Sequence, residues 1–89
     1  MAWTIRFDPR FEHDLRKLDK SVQRRIVTYL EQRVATASDP KNFGKALSYE
    51  LAGHWRYRVG DYRIICRFED AGPVIVAVSV AHRSVVYDR

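Results

Sequence analysis

Two runs of alternating side chains, His54 to Val59 and Tyr62 to Glu69, are separated only by Gly60 and Asp61. That spacing admits few structures. Alternation with a period of two is the pattern of a half-buried strand, and a two-residue connection with glycine first suits a type II′ hairpin turn. The turn sets the register: Val59 pairs with Tyr62, Arg58 with Arg63 and Arg56 with Ile65. It also sorts the two faces. Trp55, Tyr57, Val59, Tyr62, Ile64, Cys66 and Phe68 belong to the face that packs into a core, and Arg56, Arg58, Arg63, Ile65 and Arg67 to the other.

A third run, Val74 to Ala81, follows Asp70-Ala71-Gly72, a sequence that suits a short loop with its glycine in the left-handed region. Strict alternation would turn Val74, Val76, Val78 and Val80 to the core, and Ala77, Ser79, Ala81 and Arg83 to the arginine face. Upstream, Trp3-Thr4-Ile5-Arg6-Phe7 reads as a strand. Asp8-Pro9 starts a helix, the carboxylate capping free amides and the proline taking the first turn. Phe11, Leu15 and Leu18 mark one face of that helix, and Asp19-Lys20-Ser21 interrupts it. A longer helix then carries Val22, Ile26, Tyr29, Leu30, Val34 and Ala37 on one stripe. Ser38-Asp39-Pro40 ends it, because the residue before a proline avoids helical angles. Lys41 to Gly53 shows no period and reads as a loop with one helical turn. The expected fold class is α+β: an N-terminal strand, an antiparallel helix hairpin, then a three-stranded antiparallel meander with both helices on one sheet face.

The 89 residues suffice for one domain, 1–89, with a modest core. Basic residues outnumber acidic ones 16 to 11, a formal charge of +5, so a polyanion is a reasonable partner. Cys66 is the only cysteine and the three histidines lack ligand spacing. No metal and no cofactor are expected. With neither a leader pattern nor an apolar run of membrane length, the expected location is cytoplasmic, without a membrane partner.

The paired arginines are the feature that calls for an explanation. Like charges directly opposed across two strands destabilise a sheet. A solvated basic face, with arginine stems covering apolar surface, would account for any one of them. A cluster of opposed guanidiniums with no interleaved acid fits better with a bound anion, since the planar fork holds phosphate through two donors.

Leu51-x-Gly53-x-Trp55-Arg56-x-Arg58-x-Gly60-Asp61-Tyr62-Arg63, followed by His82-Arg83-x-x-Val86-Tyr87, resembles the paired signature of RelE-family toxins within the RelE/ParE superfamily. The order of elements is similar to that family over essentially the whole chain. The resemblance implies a toxin of a type II toxin–antitoxin system that cleaves mRNA on the ribosome without a metal. The 2′-hydroxyl attacks the neighbouring phosphate and leaves a 2′,3′-cyclic product. Carried over by position, the catalytic set falls on Arg56, Arg58, Arg63, Arg83 and Tyr87; Arg56, Arg58 and, from its place on the same face, Arg67 are expected to bind RNA. The implied partners are ribosome, mRNA and a cognate antitoxin. An acidic, partly disordered antitoxin segment would cover the arginines or displace the stretch from Arg83 to Arg89.

One departure bears on the chemistry. Well-known members carry lysines at the positions of Arg56 and Arg58, and arginine is a poor general base near neutral pH. Arg63 and Arg83 could clamp the scissile phosphate, and Tyr87 could take the 2′-hydroxyl proton. His82, the only imidazole among the motif residues, is a second candidate for proton transfer, although alternation turns it to the valine face. His54 and Glu50 are weaker candidates. Two rival functions share these features: a ParE-like inhibitor of DNA gyrase with no nuclease activity, and a non-catalytic RNA-binding module.

Overall fold

The computed structural model describes residues 3–84. Strand β1 spans Thr4–Phe7, helix α1 Pro9–Arg16 and helix α2 Lys20–Tyr29. Strand β2 spans only Lys45–Ala46, and β3, β4 and β5 follow at His54–Val59, Tyr62–Phe68 and Val74–His82. The five strands form one sheet in the order β1-β5-β4-β3-β2. The three C-terminal strands make the expected meander, and β1 joins its outer edge parallel to β5, with Ile5 beside Ile75 and Phe7 beside Ala77.

Asp8 caps α1 through a bond from the Arg10 N–H to its Oδ1 (2.9 Å), with Pro9 in the first turn. The second helix does not remain α-helical to Ala37. Leu30–Val34 forms a π turn, closed by the Ala35 N–H donating to the Leu30 carbonyl at 2.9 Å. The wider turn keeps both Leu30 and Val34 fully buried. Between residues 40 and 53 lie two 3₁₀ turns, Pro40–Phe43 and Tyr49–Leu51, with β2 between them. A two-residue strand is too short to leave a period in the sequence.

One sheet face packs on the helices. Phe11, Leu15, Ile26, Leu30 and Val34 meet Tyr57, Val59, Ile64, Cys66, Ile75, Ala77 and Val80 in a single cluster. Each large side chain so enclosed stabilises the fold by about 1.5–3 kcal/mol. Tyr57, fully buried, also donates its hydroxyl to the Pro40 carbonyl at 2.9 Å, tying the long connection to the sheet.

The third strand departs from strict alternation. Cys66 pairs with Ala77 but Ile65 with Ser79, so Val78 is an extra residue, a β-bulge. Ahead of it Ile75 and Ala77 enter the core, not Val74 and Val76; beyond it Val80 does. Ser79 and Ala81 remain on the arginine face, and Ala77 does not. The nearly unbroken apolar run from Val74 to Val80 concealed this, because a strand with such residues on both sides has no visible period.

Cys66 is fully buried, and loss of solvation pushes its thiol up to about 12 from an ordinary 9.0. Burial likewise raises the Tyr57 hydroxyl. For both groups the folded value lies above the unfolded one. Their contribution to stability is therefore complete below pH 9 and is lost as pH climbs from about 9 towards 12. Urea midpoints measured from pH 7 upward should hold steady and then fall above pH 9, and Cys66 should resist thiol reagents until the chain unfolds. A midpoint unchanged well above pH 10 would contradict this assignment.

Candidate nucleic-acid site on the sheet face

The hairpin forms as its turn dictates. Gly60 has φ +57° while Asp61 does not take a positive φ, and Arg58 pairs with Arg63, Arg56 with Ile65. Arg56, Arg58 and Arg63 therefore share one sheet face, opposite the helices. Among the described residues, none of the three has a carboxylate within ion-pair distance. The Nε atoms of Arg56 and Arg63 are buried with no hydrogen-bond partner among those residues. Shielded donors without acceptors are costly unless a ligand supplies the acceptors. Ile65 and Ser79, between them, are also nearly inaccessible, at 2% and 7% exposure, which makes the floor of the cluster dry and its charges strong.

The face is wider than sequence reasoning made it. Lys45 pairs with Arg56, and Arg6 reaches the same face next to Val76, whose other neighbour is Arg67. Arg6 showed the right alternation, but nothing in the sequence revealed its partner strand. Lys45 sat in a stretch without a period. The cations are not equivalent. Arg67 forms an ion pair with Glu69, the residue just past the end of β4, so much of its charge is balanced. His54, paired with Arg67, is on this face too, with its Nδ1 buried and unpartnered among the described residues. Glu50 is exposed in the turn Tyr49–Leu51, off the sheet.

Arg83 follows directly on β5. Its backbone N–H donates to the Asp61 carbonyl at 2.7 Å, and its Nε stands 3.7 Å from Asp61 Oδ1. Asp61 thereby holds Arg83 beside the turn, at the end of the sheet where Arg58 and Arg63 lie. His82 is not brought to the arginines. It pairs with Tyr62 on the helix-facing side, edge-on at 5.3 Å between centroids, and its Nδ1 accepts the Ser84 N–H at 3.2 Å. That geometry makes His82 a support for the strand end. Tyr87, the candidate for proton abstraction, lies outside the described residues. Among the described residues no three His, Cys, Asp or Glu side chains come together as a metal site. No helix among them is long and apolar enough to cross a membrane.

The fold recurs in solved toxins. The toxin–antitoxin complex RelBE2 of Mycobacterium tuberculosis superposes with a TM-score of 0.85 at 30% identity, covering 96% of this chain and 95% of that one. The isolated E. coli RelE toxin has the same fold at a TM-score of 0.69 and 19% identity, over 91% of this chain and 84% of its own. These likenesses define the domain as a toxin of the type II toxin–antitoxin class. The family model described as the ParE toxin of the type II toxin–antitoxin system, parDE, matches residues 5–87. Toxin RelG of Mycobacterium tuberculosis (strain ATCC 25618 / H37Rv) is 33% identical over 89 residues, the full length of both chains. The chain belongs to the RelE/ParE superfamily of type II toxins.

Proposed function

We propose that this toxin is a ribosome-dependent, metal-independent endoribonuclease that cuts mRNA at the arginine face. The observation that carries the reading is the Arg58–Arg63 pair with the unpartnered Nε donors of Arg56 and Arg63. A face built only to poison another protein has no need of shielded guanidiniums without acceptors. The 2′-oxygen attacks the adjacent phosphorus as its proton departs to a base, for which Tyr87 is the candidate. The bond to the 5′-oxygen breaks, that oxygen takes up a proton, and a 2′,3′-cyclic phosphate remains. Negative charge grows on the non-bridging oxygens, where Arg63 and Arg83 are placed to offset it. Arg56 and Arg58 hold the backbone on either side, and Arg67, balanced by Glu69, adds less. The ribosome would present the strand in the conformation that lines up attacking and leaving oxygens. Such a toxin works in the cytoplasm.

RelBE2 and E. coli RelBE were solved as toxin–antitoxin complexes. For this chain we expect an acidic antitoxin segment to lie over the arginines, which would order it while neutralising the cluster. The match to a family named for ParE keeps DNA gyrase as the alternative target. Primer extension on mRNA from cells expressing the toxin, beside a supercoiling assay, separates the two. Cuts within translated codons that vanish with Arg56→Ala are expected. Blocked supercoiling with uncut mRNA would reverse the assignment.

A further inference from the structure

A second group of arginines stands on the other side of the hairpin turn. Arg25, Thr28 and Tyr29 of α2, Gln32 and Arg33 of the π turn, and Arg58 of β3 line an open groove of about 510 Å³. Of these three arginines, Arg25 and Arg33 have their guanidiniums held in place without being neutralised. Arg25 lies over Gly60: a Cβ there would come within 3.1 Å of both Nη1 and Nη2, so the hairpin glycine leaves room for this guanidinium. Arg33 rests on the Phe43 ring, 5.6 Å from its centroid. Among the described residues none of the three forms an ion pair, and Glu31, the acid of the same turn, is not part of the groove wall.

We propose that this groove is a second phosphodiester site, which holds RNA backbone away from the bond that is cut. The inference rests on the RNA reading of the sheet face, with which the groove is continuous through Arg58. Positioned forks beside a hydroxyl and an amide match phosphate oxygens, which accept such donors whatever the base sequence. An acidic peptide folding onto the groove would need apolar surface to offset its ordering. Here Val59 is 6% exposed, Gly60 has no side chain, and Tyr29 is the only other large apolar group. The π turn gives this segment a purpose beyond packing, since it carries Gln32 and Arg33 to the groove.

The test uses the full chain and 2′-O-methyl RNA, which cannot be cleaved, with 3-mers and 12-mers titrated by fluorescence anisotropy across a salt series. Each phosphate contact on single strands contributes about 0.7 to the slope of log affinity against log salt. The double variant Arg25→Gln/Arg33→Gln should lower the 12-mer slope by about 1.4 and leave 3-mer affinity unchanged. Arg56→Gln should weaken both lengths. An unchanged 12-mer slope in the double variant overturns the proposal, as does weakened antitoxin binding with normal RNA binding. Loss of slope in the double variant with no effect of Arg56→Gln would keep the groove and remove the sheet-face reading. The reverse pattern would remove the groove alone. Wild-type protein that binds neither oligonucleotide removes both.

Discussion

Arg63→Ala is expected to slow single-turnover cleavage of ribosome-bound mRNA at least ~100-fold while binding to the ribosome survives, the usual scale for losing one positioned donor. Its Nε is buried and without an acceptor among the described residues, so the group is preorganised and needs no reorganisation when charge develops. Arg67→Ala should cost much less, because Glu69 already balances that guanidinium. Saturating ribosomes separate a loss of turnover from a loss of affinity. Arg63→Lys should recover little, since an ammonium keeps the charge and lacks the two-pronged fork. Tyr87→Phe, which removes one hydroxyl, should match the loss seen with Arg63→Ala. A rate within threefold of wild type for Arg63→Ala would exclude the phosphate clamp; an unaffected Tyr87→Phe would exclude the tyrosine as base.

Tyr57→Ala should be the most damaging core substitution, destabilising the fold by about 3–5 kcal/mol. A domain of this size has a stability of only about 5–15 kcal/mol, so such a loss leaves much of the chain unfolded at growth temperature. The ring is wholly enclosed and stands against Gly44, where a Cβ would come within 3.0 Å of it. Tyr57→Phe keeps the ring and forfeits the bond to the Pro40 carbonyl, which should cost about 1–3 kcal/mol because that acceptor loses its partner. Urea unfolding with an unchanged m-value is the measurement. Equal losses for the two variants would mean that the hydrogen bond, not the packing, carries the residue's contribution. Tyr57 sits between Arg56 and Arg58 but points into the core, so folded Tyr57→Phe should still cleave RNA at the wild-type rate.

How far the structure could be read from the sequence depended on what each segment was required to do. The β3–β4 hairpin was legible because a two-residue turn leaves one register, and from it came the sharing of a face by Arg56, Arg58 and Arg63. The faces of β5 were not, because Val74 to Val80 is apolar on both sides and the extra residue leaves no mark in such a run. Long-range pairings were equally silent. Nothing local tells Arg6 that β1 will lie beside β5, or Lys45 that two residues will close the opposite edge. The ion pairs that grade the arginines, Arg67 with Glu69 and Arg83 with Asp61, needed the built sheet to show them. The π turn was hidden because its buried residues, Leu30 and Val34, keep the spacing of an ordinary helix.

Val78 acts on the side chains of β5 as a single inserted letter acts on a reading frame. Everything before it is read in one phase and everything after it in the other. With the extra residue in place, His82 falls beside Tyr62 on the helix side, and the alternation delivers Arg83 towards the arginines. Were the same β5 to run past β4 without the bulge, Val78 would face Ile65 and the two would trade places, with an imidazole on the arginine face and a guanidinium turned to the core. The kind of side chain available at the end of the sheet thus depends on a bulge four residues away. Forming or losing such a bulge, with the sequence unchanged, exchanges the groups presented at the far end of the strand without replacing a single side chain.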